Sequence, residues 1–256
     1  AAIIAALSLL VIVLIFSELT AYIPIPSMAG LLLVVAYNLI DFHHIHGIFR
    51  AGKSEFAVLA VTFCATLVMA LEFAIYLGVI LSLVFYLKRT SKPNIVEVLP
   101  VPDIEDPFMA PARSNEQPRC PQLKIVRIEG SLFFGAVNYV KEYLERVPES
   151  HILIISHGIN HVDIAGAEML MHEAQRRREL GGGLHFSNLK EGVVDYLGRG
   201  EYLDAIGHDA LFNSKGYAIR SIYNRLSQDK CLNCSARIFR ECKSTSISPA
   251  ELHKIA

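Results

Sequence analysis

Residues 55–87 read EFAVLAVTFCATLVMALEFAIYLGVILSLVFYL, and only Glu55 and Glu72 among them carry charge. The hydrocarbon core of a bilayer is roughly 30 Å thick, and about 20 apolar helical residues cross it. At about 1.5 Å per residue, one helix of this stretch would reach about 50 Å, too long for a single crossing without strong tilt. The stretch therefore predicts two helices that fold back near Met69 to Glu72. Lys88, Arg89 and Lys92 follow directly, with Pro93 beyond them. Long apolar runs lie before this point and Pro-bearing polar sequence after it, so the chain divides here into a membrane-type half and a water-facing half.

The 256 residues suffice for about two domains. Mean hydropathy is +0.38 and the apolar share 52%, high for a protein that meets only water. A net charge of −1 and a pI near 6.9 leave no basic footprint, so no nucleic-acid partner is expected. The opening apolar run lacks the charged flank of a secretory signal. Beginning at Ala1 inside that run, the chain is expected to be the C-terminal part of a longer protein. The odd count of five cysteines argues against a disulfide framework and suits a reducing compartment for the polar half.

Residues 1–22, interrupted by Glu18, form one apolar run that Pro24 and Pro26 end; Met28 to Ile40, reaching towards His46, is a second. A polar turn, HHIHGIFRAGKSE, precedes the two helices of residues 55–87, which gives four membrane passes. By the positive-inside rule, Lys88, Arg89 and Lys92 place the end of the last pass in the cytoplasm. Counting back puts Arg50 and Lys53 on the same side, while the two remaining turns carry no Lys or Arg. Ionisable groups at membrane depth are candidates for function, but Glu18 and Glu72 fall near helix ends. His43, His44 and His46, beside Asp41, are read as a solvated turn, and Cys64 as a small packed hydrophobe.

Seven prolines fall within residues 93–121, which predicts a linker or an extended surface segment. Beyond it, strands are expected at Leu123–Ile128, His151–Ser156, Leu184–Ser187 and Leu211–Phe212, and helices at Ala136–Val147, from Asp163 to the arginine run, at Glu191–Leu197 and at Lys215–Leu226. This order is that of a compact α/β domain. Arg176, Arg177 and Arg178 are expected at a solvated helix end, stopped by Gly181 to Gly183. No phosphate loop, nucleophile–His–Asp order or catalytic carboxylate pair is visible, so neither an enzyme nor a cofactor is expected. The one chemical signal is Cys231-Leu-Asn-Cys234, a spacing that suits a shared zinc ion or a redox pair. Cys242 would be a third ligand and Cys120 or His253 a fourth; the competing reading is unpaired thiols on a flexible tail.

Three motifs then stand together: MAGLLLVVAYNLID at residues 28–41, EFAVLAVTFCATLVMALEFAIYLGVILSLVFYLKR at 55–89, and RIEGSLFFGAV at 127–137. They resemble the SulP sulfate-permease family of anion transporters, and HILIISHGINHVDIAGAEML at 151–170 looks like the centre of a STAS domain, the fold of anti-sigma factor antagonists. The resemblance implies an α-helical transmembrane bundle fragment of four passes, mostly from the gate, followed by an α/β STAS domain. The implied boundaries are 1–90 for the membrane helices, 91–121 for a linker, 122–228 for the STAS domain and 229–256 for a Cys-bearing tail. It further implies secondary active transport of an inorganic anion (sulfate, bicarbonate or a dicarboxylate) coupled to H+ or Na+, a homodimer in the inner (plasma) membrane, and a cytoplasmic STAS domain that assists assembly or regulation. Substrate-binding residues would lie upstream of this chain. In anti-sigma factor antagonists the loop after the central strand carries Asp followed by a phosphorylated Ser. Here it reads Asp163-Ile164-Ala165-Gly166, without a hydroxyl, so that switch is excluded and the loop remains a candidate docking surface. The alternative function is a membrane-tethered STAS module whose main role is to dock a cytosolic protein.

Overall fold

The computed structural model describes residues 2–20, 24–101, 109–112, 114 and 117–244. The chain splits into two compact units, Ala1–Ser82 and Leu83–Ala256. His253 and part of the 91–121 segment lie outside the described residues, as do the side chain of Glu18 and part of the turn before Pro24.

The first unit is helical. Helices α1 (Ala2–Thr20), α2 (Ile25–Leu39), α3 (Phe42–Ala51) and α4 (Lys53–Val68) are followed by α5 (Leu71–Thr90), which runs into the second unit. Pro24 caps α2, where a missing amide hydrogen costs nothing. The expected polar turn is instead the helix α3. Asp41 is its N-cap and accepts a 2.9 Å hydrogen bond from the His44 amide, and the exposed His43, His44 and His46 ride on its surface. Cys64 is exposed on α4 rather than packed.

Among the described residues α5 alone is long and apolar enough by itself to cross a membrane. The pair α2 and α3, bent by 41°, counts as a second crossing if taken as one broken span. Four crossings are therefore not all matched by helix length. The fold-back itself is present: α4 ends at Val68 and α5 begins at Leu71. Small residues line the contact, with Ala65 and Ala74 buried, and a Cβ on Gly78 would stand 2.8 Å from Thr62 Oγ1. Small residues let helix backbones approach closely where no hydrophobic effect drives them together. Glu72 is exposed in the first turn of α5, where a negative charge suits the helix dipole.

The second unit continues with a mixed sheet. Strand β1 (Asn94–Pro100) pairs antiparallel with β2 (Met109–Pro111) on one side and with β3 (Leu123–Leu132) on the other. Part of the segment read as a linker or extended surface segment is thus strand, Asn94–Pro100 and Met109–Pro111. Pro93, Pro100 and Pro111 sit at or just outside the strand ends, where a missing donor is tolerated. Parallel pairing adds β4 (His151–Ile155), β6 (Gly183–Ser187) and β7 (Leu211–Phe212), in the order β2-β1-β3-β4-β6-β7. A further strand, β5 (Ile159–Val162), pairs with the far end of β3 beyond the stretch that β4 occupies.

Alternation along the strands separates two cores. Val126, Ile128, Ile152, Ile154 and Phe186 face α6 (Phe134–Glu145), α7 (Ile164–Glu179), α8 (Glu191–Arg199) and α9 (Tyr202–Ile206). Ile125, Leu153, Ile155 and Phe212 face α10 (Lys215–Tyr223). Each fully buried Ile or Leu contributes about 1.5–3 kcal/mol, so β4, buried at every position, anchors both layers. The Cys-bearing tail carries two short helices, α11 (Gln228–Leu232) and α12 (Arg240–Ser244), and Phe239 is buried in the second core.

Candidate functional site

The stretch expected as a docking loop, Asp163–Gly166, is instead the N-cap and first turn of α7, following β5 and lying beside the start of α6. Asp163 holds the two helix starts together. Its Oδ1 accepts from the Gly166 amide at 2.8 Å and its Oδ2 from the Phe134 amide at 2.8 Å. One carboxylate thus satisfies an otherwise orphaned amide of each helix. The Asp163 amide donates to Leu132 O at 3.1 Å, tying the loop to the end of β3. Gly166 is there because any Cβ would run into Leu132 O. Asp163 and Gly166 are framework, and what the loop offers outward is apolar: Ile164 is 60% exposed and Phe134, across from it, 71%.

A groove of about 400 Å³ runs from Ala165 between α6 and α7. Its walls alternate in sign, with Lys141 and Arg176 against Glu145, Glu168 and Glu173. Such a surface suits a polypeptide of mixed charge better than a small anion, which a row of carboxylates repels.

The arginine run is a solvated helix end only in part: Arg178 is exposed and Arg176 half-buried in the last turn of α7. Arg177 is fully buried. It donates to Glu173 Oε1 at 2.6 Å, to Val147 O at 3.1 Å, and to the carbonyls of Leu144 and Glu149. These carbonyls terminate α6 and lead into β4, so a side chain of α7 satisfies acceptors that a helix end leaves open. Arg176 makes two further bonds to Glu173, at 2.8 and 2.9 Å. Arg178 donates to the carbonyls of Ala205 and Ile206, the last two residues of α9. The signal missed in the sequence is Glu173, three to five residues before the three arginines on the same helix.

Two histidines form a second buried polar feature. His151 on β4 and His185 on β6 stack at 5.6 Å between ring centres, and Nδ1 of the first lies 3.3 Å from Nε2 of the second. Burial holds His151 below the usual histidine value, and burial with the neighbouring His151 pushes His185 down to about 3. Both are neutral near pH 7, which suits a core pair rather than a proton-handling site.

Cys231, Cys234 and Cys242 do not hang on a loose tail. With Cys120 they line one small cavity, closed by Leu226 and Phe239. Gln122 clamps the segment, its Nε2 donating to Ser227 O at 3.1 Å and its Oε1 accepting from the Ser227 amide at 3.0 Å.

The sulfate permease family model matches residues 1–62 and the STAS domain model residues 113–218. Over 208 residues the chain is 24% identical to the sulfate-transporter homologue YvdB of Bacillus subtilis (strain 168), covering 80% of this chain and 37% of that protein. Over 243 residues it is 22% identical to Sulfate transporter 1.3 of Arabidopsis thaliana, covering 89% of this chain and 37% of the relative. The chain therefore spans a little over a third of these relatives' length. In fold it is similar to the murine Solute Carrier 26 family member A9 anion transporter in the inward-facing state, with a TM-score of 0.64, 16% identity, and coverage of 75% of this chain and 32% of that one. With a sulfate permease match at residues 1–62 and a STAS match at residues 113–218 in one chain, the protein is similar to a fragment of the sulfate-permease-type transporters.

Proposed function

We propose that the chain is the C-terminal part of a secondary active inorganic-anion transporter, sulfate being the first candidate, in which the helices preceding Asn94 cross the inner (plasma) membrane four times and belong mostly to the gate. The STAS domain is cytoplasmic and assists assembly or regulation of a homodimer. The observation that carries this reading is the covalent join of a sulfate-permease segment to a STAS domain. Support comes from the α4–α5 fold-back packed on Ala65, Ala74 and Gly78, and from Lys88 and Arg89 at the end of α5. Alternating access in such proteins moves one bundle against another around a fixed site, and the anion site is assigned to helices upstream of this chain. Bicarbonate or a dicarboxylate is the next candidate anion, with H+ or Na+ as coupling ion.

Radiolabelled sulfate uptake by the full-length protein, with and without residues 94–256, is the test. Uptake that needs the full-length protein, is competed by unlabelled sulfate and falls on truncation supports the reading. A full-length protein that reaches the membrane and moves no inorganic anion refutes it. A second reading, a tethered module that docks a cytosolic protein, is favoured by exposed Phe134 and Ile164 beside the mixed-charge groove. It gains if truncation leaves uptake intact and a stable partner binds the wild-type domain but not an Ile164→Asp variant.

A further inference from the structure

Four of the five cysteines meet at one place, although Cys120 precedes Cys231 by 111 residues in sequence. Cys120 lies just before β3, Cys231 and Cys234 at the end of α11, and Cys242 in α12. The cavity between them is about 10 Å³. That is about the space of one water molecule, too small for an organic group and suited to one ion.

One of the sulfurs meets a side-chain donor. Gln122 Nε2 lies 3.4 Å from Cys231 Sγ as a donor. The Cys234 amide donates to Cys231 O at 3.2 Å, so the C-x-x-C pair sits on a tight turn.

We infer that Cys120, Cys231, Cys234 and Cys242 form a four-thiolate site for one divalent metal ion of the zinc class, which fastens the C-terminal tail to the entrance of β3. Among the described residues no three ligands are already arranged to hold a metal, so binding closes the thiols onto the ion. A change of χ1 rotamer moves a cysteine sulfur by about 3 Å, and tetrahedral zinc asks for Zn–S distances of about 2.3 Å. The four protons leave to solvent as the ion binds, with no change of oxidation state. Soft sulfur ligands select zinc over magnesium or calcium. The role is structural, because four protein ligands leave no open position for chemistry. It is independent of which anion is transported.

The test uses the whole 256-residue chain in detergent, purified under reducing conditions. Zinc is measured after dialysis, and the metal-free chain is titrated with cobalt(II). About one zinc per chain is expected, together with thiolate-to-cobalt charge-transfer absorption and the visible bands of tetrahedral cobalt. Cys120→Ser and Cys234→Ser should each weaken zinc binding at least tenfold, and Cys64→Ser should leave it unchanged. Removing zinc from the wild type should also raise hydrogen exchange across residues 226–244, a readout that needs no variant to fold. A wild-type chain that holds no zinc and gives octahedral cobalt spectra overturns the inference. So does full zinc loading in a Cys231→Ser/Cys234→Ser double variant, or a Cys231–Cys234 disulfide persisting under those reducing conditions.

Discussion

Replacing Arg177 by Met removes the charge and all five donors of a fully buried side chain while keeping much of its volume. Breaking a buried ion pair by deleting one partner costs about 3–5 kcal/mol. Here two effects pull that figure in opposite directions. Glu173 keeps its bonds to Arg176 at 2.8 and 2.9 Å, so its charge is not wholly abandoned. Against this, the carbonyls of Val147 and Glu149 lose their Arg177 donor, while Leu144 O keeps the Val147 amide at 3.1 Å, and each buried acceptor left open costs about 1–3 kcal/mol. The two largely offset, and the expected loss remains about 3–5 kcal/mol. At about 2–4 °C per kcal/mol for a unit of this size, the melting temperature falls by about 6–20 °C. The sequence contains no Trp, so tyrosine near-UV circular dichroism follows the melt in detergent. Arg146→Ala, which removes an exposed pair to Glu142, is the control and should cost under about 0.5 kcal/mol. Adding Glu173→Leu to Arg177→Met should recover only part of the loss, because the carbonyls stay unpaired. An Arg177→Met protein that melts within about 2 °C of Arg146→Ala, or full recovery in the double variant, would refute the reasoning.

Two further outcomes are expected. His151 and His185 have folded-state values below the ordinary 6.5; the unfolded chain therefore takes up protons first, and stability that is complete above about pH 6.5 is lost as pH falls towards 3. At pH 4.5 His185 alone accounts for about 2–3 kcal/mol; His185→Leu should flatten the stability profile between pH 6.5 and 4.5, and an unchanged slope in urea titrations would refute the assignment. At the fold-back, Gly78→Leu should lower the thermal stability of the detergent-solubilised chain, because a Cβ there meets Thr62 Oγ1 at 2.8 Å; Thr62→Gly should restore part of it, and equal stability of all three proteins would show that the two helices do not pack at this point.

The elements readable in the sequence are those whose signal is local. Asp163 as a helix cap, the apolar run at His151–Ile155 and the charge-free arms on either side of Met69 each carry their evidence within a few residues. What escaped is set by distant partners. Strand β1 exists because Asn94 to Glu97 pair with Val126 to Glu129, and nothing within NIVEVLP announces that pairing. The three arginines looked solvated because charge normally is; Arg177 is buried because another helix ends in open carbonyls at the right depth. The thiols could be read either as a shared site or as a loose tail, because only the fold brings Cys120, distant in sequence, to Cys231, Cys234 and Cys242.

The position of β1 has a practical corollary for anyone expressing the soluble half. Similarity to STAS domains starts at residue 113, and a fragment cut there would look complete. Such a cut discards the strand that covers one side of β3 over Asn94–Glu97 and leaves that side as a bare row of peptide groups. Open strand edges invite pairing with other chains, so the shortened fragment should aggregate where one starting at Lys92 stays monodisperse. Only Ser91 to Pro93 separate α5 from β1, so a fragment that keeps β1 and leaves α5 behind has only those three residues in which to be cut.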